Sequence, residues 1–295
     1  MTKTLFDAYL MVDWSAAAKP SKGKDSIWWA LLQRQDGQLR LIRRENPRTR
    51  SAATADIACL LAALAENGTR VLVGFDFPFG YPAGTAERLG MSGLPWRHMW
   101  QELADLLDDA ADNGNNRIDV AESLNARISG EAFPFWGNVR EEERPCLRRR
   151  GRRPHEESDL DEWRLCDRRA RTTSSVWQLA GAGSVGSQVL TGIPRVLELR
   201  TDPRLAMISG IWPFETGLAH DPRLQIIFAE VYPSIVDPEP EPDMVKDARQ
   251  VRTIAAHLAA LDEDGKLEMY FGGDPALTAA ERRTVEREEA WILGT

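Results

Sequence analysis

Residues 9–14, YLMVDW, and residues 71–82, VLVGFDFPFGYP, decide the reading of this chain. Each contains an extended stretch that is apolar on both faces and closes on an acid, Asp13 in the first and Asp76 in the second. A strand apolar on both sides belongs in the middle of a sheet whose two faces are covered. An ionised carboxylate at such a strand end is costly unless a cation or hydrogen bonds compensate it. Working outward, residues 27–32 (IWWALL) read as a second buried strand, and Leu39 and Leu41 alternate with Gln38 and Arg40 as on an edge strand. Gln35-Asp36-Gly37 supplies the hairpin turn between them. A helix follows, with Ile57, Leu60, Leu61 and Leu64 on one face and Gly68 to stop it. The opening order is strand, strand, strand, helix, strand, which is an α/β pattern.

The rest of the composition sets limits. With 295 residues, 43% hydrophobic and 28% charged, the chain can build one large core. No apolar run approaches the roughly 18 to 20 residues of a membrane span. Asp7 and Asp13 interrupt the start, unlike a signal peptide, so a cytoplasmic protein with no membrane partner is expected. Three cysteines without paired spacing argue against a disulfide framework. A net charge of -8 and a pI near 5.2 argue against coating nucleic acid with the whole surface, while leaving room for a local basic stripe.

Residues 77–185 break the pattern and read as an insertion. Two helices are expected within it. One runs around Met99, Leu103, Leu106 and Leu107 and ends at Asn113-Gly114; the other starts at Asp119, with Glu122 as capping partner and Gly130 closing it. Beyond come a helix over 187–199 interrupted by Pro194, a buried strand over 224–231 and a helix over 245–261. A last helix runs from Thr278, with Glu281 as its capping partner, to near Trp291, and the Pro-rich 237–243 reads as a stiff connector.

Two further acids fall on these elements. Glu230 interrupts Ile226, Ile227, Phe228 and Val231 in a core strand. Asp247 continues the inward stripe of Val251, Ile254, Leu258 and Leu261 at helical 4-3-4-3 spacing. If the three acid-bearing strands run parallel, Asp13, Asp76 and Glu230 gather at the sheet edge where α/β proteins bind ligands. Neighbouring strands lie about 4.8 Å apart, so such carboxylates can share one or two divalent cations. Local alternatives stay open: a turn cap for Asp13, scaffolding before Phe77-Pro78 for Asp76, and a dipole-favoured first-turn acid for Asp247.

Anion-binding candidates are less specific. All eleven basic residues from 140 to 171 are arginine, against nine acids, and Arg148, Arg149 and Arg150 stand together. The planar fork of arginine suits phosphate, whereas the near balance of charge suits an internally paired segment. Ser15 and Lys19, with Lys22 and Lys24, lie on the loop after the first strand and could meet a phosphate. Gly181, Gly183 and Gly186 match G-x-G-x-x-G at a helix start, but without the strand context of a dinucleotide site the competing reading is a tight packing turn. Cys146, His155 and Cys166 are spaced too widely for a zinc motif, and no Ser or Cys partner is identifiable for His98, His220 or His257.

The element order and the acids in MVDWS, GFDFPFGYP, AEVYP and the helix bearing Asp247 resemble the ribonuclease H-like superfamily. More narrowly, the chain is similar to an uncharacterised bacterial family of predicted ribonuclease H-like nucleases. Its Gly-hydrophobic-Asp-x-Pro-x-Gly, Glu-hydrophobic-Tyr-Pro and Glu-x-Trp-Ile stretches correspond to residues 74–80, 230–233 and 289–292. The resemblance implies a single domain, 1–295, with a mixed five-stranded sheet, flanking helices and a large insertion, 77–185, after the fourth strand. It also implies Asp13, Asp76 and Asp247 as ligands of Mg²⁺ or Mn²⁺, with Glu230 a fourth acid beside them. The substrate would be nucleic acid or another phosphate-containing molecule. Asp56 is the position matching the helix acid of ribonuclease H. The long loop 13–26 and the insertion depart from a minimal enzyme of the class and leave the substrate open. Two rival readings are a phosphotransferase of the actin and sugar-kinase type and a noncatalytic regulator that docks through the insertion.

Overall fold

The computed structural model describes residues 4–139, 142–170, 173–238 and 240–295. Its strands are β1 (Ala8–Asp13), β2 (Trp28–Gln35), β3 (Gln38–Glu45), β4 (Val71–Phe75), β5 (Ser209–Ile211), β6 (Ile226–Val231) and β7 (Ile292–Leu293). They form one mixed sheet in the order β3-β2-β1-β4-β6-β5, with β7 pairing β6. The β1–β2 and β2–β3 pairs are antiparallel; β4 and β6 run parallel to β1, and β5 and β7 parallel to β6.

The sheet has seven strands among the described residues, not five. The additional two, β5 and β7, span three and two residues, too short to leave a readable alternation in sequence.

The helices are α1 (Arg50–Glu66), α2 (Thr85–Arg88), α3 (Pro95–Leu106), α4 (Arg117–Ile128), α5 (Leu165–Arg169), α6 (Gly186–Thr201), α7 (Lys246–Glu263), α8 (Leu267–Phe271) and α9 (Ala279–Thr284). Side chains alternate across each strand and so feed two cores. Leu10, Val12, Val73, Phe75 and Phe228 face α1, α3, α4 and α6. Tyr9, Met11, Leu72 and Ile227 face Val251, Ile254 and Leu258 of α7. The long segment between β4 and β6 thus fills the same core as α1.

Several local expectations shift for identifiable reasons. The helix expected from Asp119 starts at Arg117, and Asp119 and Glu122 pair with Arg144 instead of forming a capping box. Pro194 is accommodated inside a continuous α6. The capping box of Thr278 and Glu281 is present, but α9 ends at Thr284 and gives way to a wider turn over Val285–Glu289. Ala290, at φ +62°, then redirects the chain into β7. Glu239, within the expected connector 237–243, lies outside the described residues.

Residues 74–80, 230–233 and 289–292 interlock at one end of the sheet. A Cβ on Gly80 would lie 2.2 Å from the Glu288 carbonyl oxygen, so only glycine lets 74–80 press on the C-terminal turn. Phe79 N–H donates to Glu230 Oε2 at 3.0 Å, and the N–H groups of Ala83 and Leu165 donate to the Glu289 carboxylate. At the centre lies Arg164, fully buried, which donates to Glu230 through Nη1 (2.7 Å) and Nη2 (2.6 Å) and to Asp167 through Nε (2.9 Å) and Nη2 (3.0 Å). Removing one partner of such a buried set leaves charge uncompensated in the interior. Arg164→Ala is expected to lower unfolding free energy by about 3–5 kcal/mol, measured by urea denaturation; a loss near zero would mean that the ion set does not hold this end together.

Candidate functional site

Pairing register determines which acids meet. Val12 pairs with Phe75, and Phe75 pairs with Glu230, so these three positions point to one face of the sheet. Asp13 and Asp76 each come one residue later and point to the other, where α7 packs. The β6 residue level with them is Val231. Glu230 therefore turns toward Arg164, and its carboxylate is occupied by Arg164 and Phe79. Burial pushes the Glu230 carboxyl upward, and the guanidinium opposes that shift.

Asp13 and Asp76 are brought together. Their carboxyls lie close enough to influence one another's protonation, and Trp14 N–H donates to Asp76 Oδ1 at 2.8 Å. Asp247 approaches from the start of α7, and its Oδ2 accepts the Asp25 N–H at 2.7 Å. Burial first, then the charges of Asp76, Asp247 and Asp25, hold the Asp13 carboxyl well above the usual carboxylate range. Asp76 is also raised, chiefly by burial, with the Trp14 N–H opposing. The strongest charged influences on Asp13 are thus all negative. Among the described residues, however, no group of three or more His, Cys, Asp or Glu forms a ready metal cage.

A cleft of about 360 Å³ opens beside Asp13, lined also by Asp25, Asp247, Arg117, Ser184 and Ser187 but not by Asp76. Ser184 also lines a neighbouring cavity of about 220 Å³ that reaches Asp76, Arg164 and Glu230. The 181–186 loop thus separates the two spaces. Its geometry is that of a packing turn: Gly181 and Gly183 have φ of +102° and +72°, and Gly186 N–H donates to the Gln178 carbonyl at 2.8 Å. Ser15 lines the acid cleft, whereas Lys19, Lys22 and Lys24 are exposed and do not. Asp56 is exposed on α1. Arg148, Arg149 and Arg150 line a different groove that shares no residue with either cavity. Arg140 and Arg171 lie outside the described residues.

Two positioning residues and one acid of the site left little trace in the sequence. Buried Arg50, at the start of α1, donates through Nη1 to the carbonyls of Ser15 (3.1 Å) and Ala17 (2.8 Å) while its other nitrogens bind Asp109. This pins the loop that walls the cleft. Arg117 donates from Nε to Ser187 Oγ at 3.0 Å, linking α4 to the first turn of α6. Asp25 reaches the acids only because loop 13–26 folds back. A cation at the start of a helix, where the dipole disfavours it, is the one signal that could have flagged Arg50.

No protein-family model, curated protein or solved structure matches this chain. Among the described residues no helix is long and apolar enough to cross a membrane.

The acid pair has a measurable consequence. A carboxyl whose folded pKa exceeds its unfolded value, about 3.9, contributes its full stabilisation below that value and loses it progressively as pH rises through the raised folded value. Relative to Asp76→Asn, the metal-free wild type should therefore lose stability as pH is raised from about 5 to about 8. Mn²⁺ should raise the wild-type thermal midpoint more at the higher pH and leave Asp76→Asn unmoved. Equal pH profiles for the two proteins, with no Mn²⁺ effect, would show that the pair carries no uncompensated charge.

Proposed function

We propose that this protein is a divalent-cation-dependent phosphodiester hydrolase of ribonuclease H-like build. The observation that carries the reading is the meeting of Asp13 and Asp76 at adjacent parallel strand ends, where Asp13 lines an open cleft and faces further negative charge. The strand order β3-β2-β1-β4-β6, with antiparallel β1 to β3 and parallel β4 and β6, supports the build.

Asp13 and Asp76 would hold Mg²⁺ or Mn²⁺, with Asp247 at the rim. Mg²⁺ typically takes one or two carboxylates and completes its shell with waters and substrate phosphate oxygens, so a full protein cage is not required. When bound, the ion supplies Lewis-acid stabilisation of negative charge developing on phosphate oxygens.

The chain's own groups do the rest. Trp14 N–H fixes the Asp76 carboxylate, and Asp25 N–H fixes Asp247. Arg117, held at Ser187, brings positive charge to the wall opposite the acids, beside the N-terminal turn of α6, which favours an anion. Glu230 has a positioning role through Arg164 and is not needed as a ligand.

Asp13→Asn and Asp76→Asn should each lower Mn²⁺-dependent cleavage of RNA or DNA oligonucleotides by at least about 100-fold, since even outer-shell changes at metal sites cost about 10- to 100-fold. Circular dichroism should register an intact fold in both. Wild-type protein without metal-dependent cleavage, or either variant with full activity, would defeat the reading.

A further inference from the structure

The arginine-rich segment divides into spent and unspent charge. Nine of its arginines, from Arg144 to Arg169, are described, and six are committed to acids. Arg144 pairs with Asp119, Glu122 and Glu142; Arg152 with Glu162; Arg153 with Asp159 and Glu131. Arg164 pairs with Asp167 and Glu230, Arg168 with Asp161, and Arg169 with Asp274. The remaining three are consecutive: Arg148, Arg149 and Arg150 are all exposed, and none has an acid partner among the described residues. They line a groove of about 730 Å³ together with Arg144, Arg153 and two acids, Glu131, which Arg153 engages, and the exposed Glu143, so that five arginines face two carboxylates.

Backbone bonding ties this groove to the acid cleft. The Arg148 carbonyl accepts the N–H groups of Gly137 and Asn138, each at 3.0 Å. Trp136, next in the chain, exchanges bonds with 177–179: its N–H donates to the Trp177 carbonyl (3.0 Å), and its carbonyl accepts the Leu179 N–H (2.9 Å). Gly137, at φ +94°, has room for no side chain, since a Cβ would lie 2.9 Å from Ala180 N. Leu179 lines the acid cleft itself. Backbone hydrogen bonds thus run from the arginine groove to Leu179 at the wall of the acid cleft.

We infer that Arg148, Arg149 and Arg150 form a docking surface for the phosphodiester backbone of a nucleic-acid strand, away from the acids and independent of any metal. This deepens the proposed hydrolase reading and rests on it for the choice of a nucleic acid as the polyanion. In a protein of net charge -8, the unspent triplet supplies local attraction where the surface as a whole repels. Phosphate contacts by arginine release counterions, so their number is read from the salt dependence of binding.

The test is fluorescence anisotropy of labelled oligouridylate and oligothymidylate of about 20 nucleotides, across a salt series in EDTA. The triple variant R148A/R149A/R150A should bind at least tenfold more weakly at low salt, with the slope of log K against log salt reduced by about 2, at about 0.7 per lost contact. The corresponding triple lysine variant should recover most of that slope. Preference for one oligomer identifies the strand chemistry within the same inference. An unchanged triple alanine variant, no binding of either oligomer by wild type, or equal binding of polyglutamate would overturn it. Loss of cleavage with arginine-dependent binding retained would defeat the hydrolase reading alone.

Discussion

The carboxyl end of the sheet is held by one guanidinium. Arg164 sits between Glu230 on β6 and Asp167 on α5, and its Nη1 also donates to the Glu289 carbonyl at 3.0 Å. Two carboxylates and a carbonyl use the whole planar fork, an arrangement that the point charge of lysine could not reproduce. Buried ion pairs often contribute little net stability against an apolar replacement, yet they are strict about geometry. Here the geometry decides where an irregular segment, a core strand and the C-terminal turn come together. Gly80 and Phe79 then seat the chain leaving β4 against that assembly.

The same pairing separates the acids by function. Because Glu230 shares the face of Phe75, Arg164 neutralises it on that face and is not among the leading influences on Asp13. On the other face Asp13 meets the negative charges of Asp76, Asp247 and Asp25, which add to burial in raising its carboxyl. A single step of strand parity thus distinguishes a satisfied carboxylate from a strained pair.

Much of this was legible in the residues. The first five elements follow from apolar runs, the Asp36-Gly37 turn and the stripe of α1, because each rests on local periodicity. Asp247 was legible for the same reason, since its neighbours at helical spacing are buried on the sheet. Glu230 could not be assigned, because its face depends on how β4 and β6 align, and no local pattern carries that alignment. Arg164 was hidden among arginines that look alike in sequence and differ only in what they meet. β5 and β7 are created by tertiary pairing with β6 and have too few residues to announce themselves.

The walls of the cleft bear on what can reach the acids. Beside Asp13 the short residues Ser15, Ala16, Ala17, Ser184 and Ser187 alternate with the larger Trp14, Arg117, Leu179 and Gln188 in lining the cleft. Arg50 keeps the first of these walls in place through backbone carbonyls rather than side chains, which leaves the small residues free to face the opening. The second wall is fixed by Arg117 at Ser187 and by the Gly186 N–H bond to Gln178. An open trough with rigidly held walls and acids in its lining suits a backbone group of an extended polymer better than an enclosed small molecule, for which apolar enclosure would be expected. The polar walls, the acids beside the cleft and the three exposed arginines that meet no acid among the described residues are the features on which the proposed ligand class rests.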